Sequence, residues 1–134
     1  MSIERTIKDE EFVTFEVSKL LQDKGYREDC HASYITDETG RSVLSVLWSH
    51  VRKFRNLLRY TRYQGEYLAP TLYDAQKWVR IKGKIHIVVE INKHGWYYRL
   101  YDMEDQPLIS QMDGYADTFE KALNDGIKES LTYL

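Results

Sequence analysis

The most regular pattern in the chain is an alternation of apolar and polar residues on both sides of residues 92–95. The apolar residues at every second position are Ile85, Ile87, Val89, Ile91, Trp96, Tyr98 and Leu100. A period of two is typical of β-strands that bury one face, and the Asn-Lys-His-Gly run between them is typical of a turn. The pattern predicts a β-hairpin at about 85–103 with Ile87 opposite Leu100, Val89 opposite Tyr98 and Ile91 opposite Trp96.

Three other segments repeat their apolar residues at helical spacing, and they predict helices near 14–24, 71–82 and 118–132. Thr14, Thr71 and Asp117 precede these stripes as predicted N-caps, and Glu120 would complete a capping box with Asp117. At the other ends, Gly25 and Gly83 are the expected helix terminators. The third helix also contains Gly126, which costs up to about 1 kcal/mol relative to alanine and would be explained by close packing on a sheet.

The N-terminal half carries weaker strand signals. Segments 30–36 and 42–48 flank the turn residues 37–40 and predict a second hairpin, and segment 108–112 predicts an additional strand. Segment 49–66 fits both helical and strand-like spacing, so its structure stays open. Together these elements predict an α+β fold in a single domain, 1–134, in which an antiparallel sheet packs against three helices, mostly on one face.

The amino-acid composition is typical of a globular protein. The chain has 134 residues, of which 43% are apolar and 30% are charged, as in many globular domains. Its one cysteine, Cys30, favours a reducing compartment. The first residues lack the apolar run of a signal peptide, and no segment approaches the roughly 20 apolar residues that span a bilayer. We therefore expect a cytoplasmic protein without a membrane partner.

Charge is distributed unevenly along the chain. Residues 41–65 contain no acidic residue, and five of their basic residues interleave with aromatic ones: Arg52, Lys53, Arg55, Arg59 and Arg62. Cations beside aromatic rings suit phosphates and exposed bases, so this stretch is the best lead toward nucleic-acid binding. The alternative is that these side chains meet the acidic surplus of the chain itself. A net charge of −2 argues against a strongly basic binding surface.

The polar face of the predicted hairpin provides a second candidate surface. Tyr97, Arg99 and Tyr101 alternate with its apolar residues, and Glu90 would lie diagonally from Arg99. Tyrosine and arginine are enriched in protein interfaces. We therefore expect exposed tyrosines at Tyr97 and Tyr101 to form a contact face with a protein partner or with a second copy of the chain.

The residue types that bind metals or act as nucleophiles are present, but they lack the spacing of a known site. The metal-ligating candidates are Cys30, His31, His50, His86 and His94. Structural zinc sites usually show paired ligands such as Cys-x-x-Cys, and sequence neighbours such as Asp29, Cys30 and His31 rarely align as a catalytic triad. The sequence therefore predicts no metal, no cofactor and no enzymatic activity.

Several short motifs resemble those of a family of small uncharacterised proteins from gut bacterial genomes and their mobile elements. They include the runs at 11–16, 19–21, 24–26, 69–71, 76–80, 85–87, 95–97, 117–123 and 126–129. The resemblance covers both ends of the chain and fades between Thr36 and Tyr67. The matching residues are caps, helix faces and core positions, so the resemblance implies a fold and no mechanism.

The sequence thus favours a non-enzymatic accessory or protein-interaction domain, encoded on or derived from a mobile element. Its alternative function is nucleic-acid binding through the basic stretch 52–62.

Overall fold

The computed structural model describes residues 9–37, 39–46, 65–104 and 107–134, and within these ranges helices and antiparallel strands occur together. The helices are α1 (Phe15–Asp23), α2 (Leu72–Gly83) and α3 (Phe119–Leu131), and a short 3₁₀ turn at Asp9–Glu11 precedes α1. The strands are β1 (Ala32–Thr36), β2 (Ser42–Val46), β3 (Gly65–Leu68), β4 (Ile85–Asn92), β5 (Gly95–Asp102) and β6 (Ser110–Gln111). The predicted α+β class and the three helices are confirmed, each helix within one or two residues of its expected bounds.

The described strands form two three-stranded antiparallel sheets, with the orders β2-β1-β3 and β4-β5-β6. The sequence predicted one sheet. The difference arises because β3 pairs with β1, with Tyr34 opposite Tyr67. Strands β1, β2 and β3 therefore form a separate sheet. This pairing joins segments that are far apart in the chain, and β3 begins inside the stretch whose structure the sequence left open.

The predicted hairpin is confirmed in every residue pair. Ile87 lies opposite Leu100, Val89 opposite Tyr98 and Ile91 opposite Trp96. The strands continue to Asn92 opposite Gly95, so the loop contains only Lys93 and His94, and β5 ends at Asp102. Alternating side chains therefore point to the two faces that the sequence pattern requires.

The helix ends confirm some expectations and correct others. Thr14 and Thr71 cap α1 and α2 as predicted, and Gly25 follows α1 with a φ of +93°. At α3 the cap is Thr118, whose hydroxyl accepts a hydrogen bond from the Lys121 amide, and the prediction of Asp117 is wrong. At α2 the left-handed residue is Lys84 (φ 56°), one position after the predicted terminator Gly83.

The main core contains residues from both sheets and from all three helices. Its fully buried side chains come from all three helices and from the inner face of the β4–β5 hairpin, among them Val17, Leu21, Val79, Ile87, Leu100, Ile127 and Leu131. Leu68 of β3 belongs to the same cluster. Helix α3 crosses the inner face of the hairpin, where Gly126 touches Ile87 and Tyr98. Helix α3 consequently packs on one face of the hairpin, and the opposite face carries the first candidate site.

Candidate functional site

The candidate site is the face of β4 and β5 that points away from α2 and α3, termed here the outer face. It carries the side chains His86, Val88, Glu90, Tyr97, Arg99 and Tyr101, which alternate with the core residues of the two strands. Among the described helices, α2 and α3 make the extensive contacts with this sheet, and α3 does so through the inner face. The outer face is therefore a sheet surface without a helical cover in the described part of the chain.

Glu90 organises the middle of the outer face. The Tyr97 hydroxyl donates a hydrogen bond to Glu90 Oε2 at 2.9 Å, and Arg99 Nη1 lies 3.7 Å from Glu90 Oε1. The guanidinium carbon of Arg99 is 5.5 Å from the centre of the Tyr97 ring, within cation–π range. The predicted diagonal pair of Glu90 and Arg99 is therefore present, and Tyr97 completes it as a three-membered cluster.

Aromatic contacts extend this cluster toward the hairpin turn. The Tyr115 ring meets Tyr97 edge to face, with ring centres 6.0 Å apart. Asn92 Nδ2 donates to the Tyr115 hydroxyl at 3.3 Å, and the His94 ring centre lies 5.4 Å from that of Tyr115. Residues from β4, β5, the turn and the loop after β6 thus form one connected polar-aromatic surface.

These contacts shift the pKa values of Tyr97 and Arg99. The hydrogen bond to the Glu90 carboxylate raises the pKa of the Tyr97 phenol above its ordinary value, because the bond favours the protonated form. A hydrogen bond with Tyr101 and the nearby charge of Glu90 raise the pKa of Arg99. Near neutral pH the Tyr97 phenol is therefore protonated and the Arg99 guanidinium is positively charged.

The exposure of these residues differs in part from the prediction. Tyr97 was expected to be exposed, but only 9% of its surface is accessible, because Tyr115 and Arg99 lie against its ring. Arg99 and Tyr101 are half-buried and remain accessible. Tyr97 thus supports the surface, while its neighbours provide the groups that a partner can reach.

The other predicted candidates differ in where they lie. The basic residues Arg52, Lys53, Arg55, Arg59 and Arg62 lie outside the described residues, so nucleic-acid binding stays a prediction. The Cys30 thiol is buried and contacts the carbonyl of Ala32 at 3.2 Å. His86 is exposed on the outer face opposite Tyr101, and His94 is exposed in the turn beside Tyr115. His31 is exposed elsewhere, and His50 is not among the described residues.

The described ranges lack two features. They contain no group of three or more His, Cys, Asp or Glu side chains arranged to hold a metal ion. None of the helices in these ranges has the length and apolar content needed to cross a bilayer.

Sequence reasoning missed a groove of about 550 Å³ between the N-terminal ends of α2 and α3. Its walls are mainly apolar and include two carboxylate side chains. The lining residues are Glu11, Thr71, Leu72, Tyr73, Gln76, Phe119, Glu120 and Leu123. Tyr73 and Phe119 are each at least 40% exposed although they are large and apolar. The sequence gives one signal of the groove, because Tyr73 and Phe119 each lie beside the buried stripe of a helix. This signal does not show that the two helix ends lie close together.

Comparison of the chain with protein-family models, with curated proteins and with solved structures finds no match. The resemblance to small proteins of gut bacteria and their mobile elements therefore stays a prediction.

Proposed function

We propose that this protein is a non-enzymatic protein-interaction domain and that it binds its partner through the outer face of β4 and β5. The observation that supports this proposal is the cluster of Glu90, Tyr97 and Arg99, extended by Tyr101 and Tyr115, on a sheet face that no described helix covers. Tyrosine and arginine are the residue types that, with tryptophan, dominate the energetics of protein interfaces.

The rigidity of this cluster favours binding. An association loses free energy when mobile side chains become ordered at the interface. Here Glu90 already restrains Tyr97 and Arg99, and both strands belong to a hairpin fixed by α3. A partner would therefore meet side chains that need little further ordering.

The partner in this proposal presents a surface of low charge, on a different protein or on a second copy of the chain. The outer face pairs its cation with its own anion, Arg99 with Glu90, so it presents little net charge to a surface that docks on it. Tyr101 and Tyr115 offer aromatic area with hydroxyl groups at the rim, which suits a partner surface of mixed polarity.

The test is site-specific cross-linking in the cells that make the protein. A photoreactive phenylalanine replaces Tyr101, and the control carries the same group at Lys77, an exposed position on α2. We expect a discrete adduct from position 101 that is weak or absent from position 77. In the position-101 protein, Arg99→Ala is expected to lower the adduct yield several-fold, since truncating an interface arginine commonly costs about 1 kcal/mol or more.

Equal adduct yields from the two positions would contradict the proposal. An adduct with twice the mass of the chain would show that the outer face binds a second copy instead of a different protein.

A further inference from the structure

Strand β4 lies at the edge of the second sheet, and its register shows which backbone groups are unpaired. Because Asn92 and Gly95 form the pair that closes the loop, residues 86, 88, 90 and 92 exchange hydrogen bonds with β5. The N–H and C=O groups of Ile85, Ile87, Val89 and Ile91 therefore point to the free side of the strand. This edge can accept a further strand wherever nothing covers it.

Half of the edge is closed by α2. The Gln76 side-chain amide donates to the carbonyl oxygen of Ile87 at 2.9 Å, and the side chains of Ile85 and Ile87 are buried. In the other half, the outward backbone groups of Val89 and Ile91 have no hydrogen-bond partner among the described residues. The Ile91 side chain is 60% exposed. The open part of the edge is thus residues 89–91.

The groove between α2 and α3 lies beside this open half. Gln76, which bonds to Ile87, is one wall residue. Phe119, another wall residue, contacts Trp96 with ring centres 5.7 Å apart, and Trp96 lies opposite Ile91. The groove and the open edge are therefore neighbouring parts of one surface.

The groove has the size and lining of a side-chain pocket. Its volume of about 550 Å³ is within the usual range for ligand pockets. Leu72, Leu123 and Phe119 supply apolar contact, and the Glu120 carboxylate adds negative charge to the lining. A bulky apolar side chain fits the groove, and a neighbouring lysine or arginine is complementary to the charge of Glu120.

We propose that residues 89–91 and this groove together bind an extended segment of a partner protein. The segment adds a strand to β4, places a bulky apolar side chain in the groove and carries a basic residue near Glu120. Pairing of this kind combines main-chain hydrogen bonds for affinity with a pocket for specificity. The inference rests on the proposed interaction function but assigns a surface separate from the outer face.

A second copy of the chain is a poor occupant of the same edge. The antiparallel register that pairs Val89 with Ile91 of the second copy also sets Glu90 directly opposite Glu90 of that copy. Like charges directly opposite each other destabilise a strand pair. Registers that extend toward Ile87 meet the Gln76 side chain.

Val89→Pro is the sharpest variant for testing this site. It removes an N–H group that points away from β5, so the hydrogen bonds of the hairpin are retained. Val89→Thr is the matched control, because it keeps the N–H group and a β-branched side chain. Glu120→Lys reverses the charge at the groove, and Arg99→Ala reports on the outer face.

The experiment selects binders from a displayed library of random short peptides and measures the affinity of the selected peptide for each variant. We expect the selected peptides to share an apolar residue flanked by lysine or arginine. Val89→Pro and Glu120→Lys should each weaken binding about tenfold or more, since each loses an interaction of at least about 1.4 kcal/mol, whereas Val89→Thr and Arg99→Ala should not. In the unaltered protein, the peptide should slow hydrogen exchange at the Val89 and Ile91 amides, a readout that needs no variant.

The inference is overturned if no peptide is selected, or if Val89→Pro binds as tightly as Val89→Thr without slowed exchange at these amides. Concentration-dependent dimers that Val89→Pro abolishes would assign the edge to a second copy and also overturn it. Peptide binding that is lost only in Arg99→Ala would place the peptide on the outer face, which removes this inference and leaves the proposed function intact. If the cross-link at Tyr101 is absent while Val89→Pro still loses the peptide, the outer-face proposal fails and the edge site stands.

Discussion

Gly126 allows helix α3 to lie close to the β4–β5 hairpin. A Cβ atom at this position would lie 2.9 Å from Ile87 Cγ2 and 3.2 Å from Tyr98 Cβ. Helix α3 thus approaches the hairpin more closely than an alanine permits, as the sequence suggested. We expect Gly126→Ala to destabilise the fold by up to about 2 kcal/mol net, because overpacking costs about 1–3 kcal/mol and the helix-propensity gain offsets about 1 kcal/mol of this cost.

Urea unfolding measures this change in the free energy of unfolding. Lys121→Ala, at an exposed position of the same helix, is the control and is expected to stay within about 0.5 kcal/mol of the unaltered protein. A Gly126→Ala protein that is more stable than the unaltered one would show that α3 does not pack on Ile87 as described.

Gly83 and Lys84 show why a residue-scale rule can fail by one position. Glycine usually takes the left-handed conformation after a helix, yet here Lys84 takes it with a φ of 56° and Gly83 is the last helical residue. A Cβ on Gly83 would lie 2.9 Å from the Leu134 side chain. This contact comes from the far end of the chain, so the local sequence could not reveal it.

At the scale of elements, the start of α3 was placed one residue too early. Asp117 and Thr118 are both favourable caps, and the sequence does not choose between adjacent registers. The structure does: Ala116 pairs with Trp96 through two backbone hydrogen bonds of 2.7 and 3.0 Å. Thr118, which follows in extended conformation (φ −132°, ψ 156°), is the last residue before the helix.

We therefore expect Thr118→Ala to lower the free energy of unfolding by about 1 kcal/mol, the usual cost of losing an N-cap hydroxyl. Asp117→Ala should change it by less than about 0.5 kcal/mol. Thermal unfolding of the two variants side by side measures the difference. The reverse order of stability would restore Asp117 as the cap.

The elements that the sequence predicted well are those whose contacts are local. The β4–β5 hairpin is defined by alternation and a turn within one short segment, so even the pairing of Val89 with Tyr98 could be predicted. Strand β3 depends on a distant partner, β1, and its pattern is too short to be recognised alone. The groove could not be predicted for the same reason, because it exists only where the starts of α2 and α3 meet.

At the scale of the whole molecule, two buried tyrosines of the shared core link stability to alkaline pH. Burial raises the pKa of Tyr98 from 10.0 to about 12. Burial also raises the pKa of Tyr26, which packs against Trp78, and the nearby Cys30 and Asp74 add to this shift. The folded protein therefore holds these phenols in the neutral form where the unfolded chain has begun to lose their protons.

The sign of the effect follows from this difference in bound protons. Below the ordinary tyrosine pKa of 10.0, folded and unfolded chains hold the same phenol protons, and stability does not depend on these groups. Between pH 10 and the folded-state pKa of about 12, the unfolded chain binds fewer protons, so stability falls as pH rises. Tyr98→Phe removes one of the linked groups and should make this decline shallower, whereas Tyr73→Phe at an exposed position outside the core should leave it unchanged. Urea midpoints measured from pH 9 to pH 11 distinguish the two variants. Equal slopes would mean that Tyr98 is not held neutral by the core, and that the inner face of the hairpin is more open to water than its packing against α3 allows.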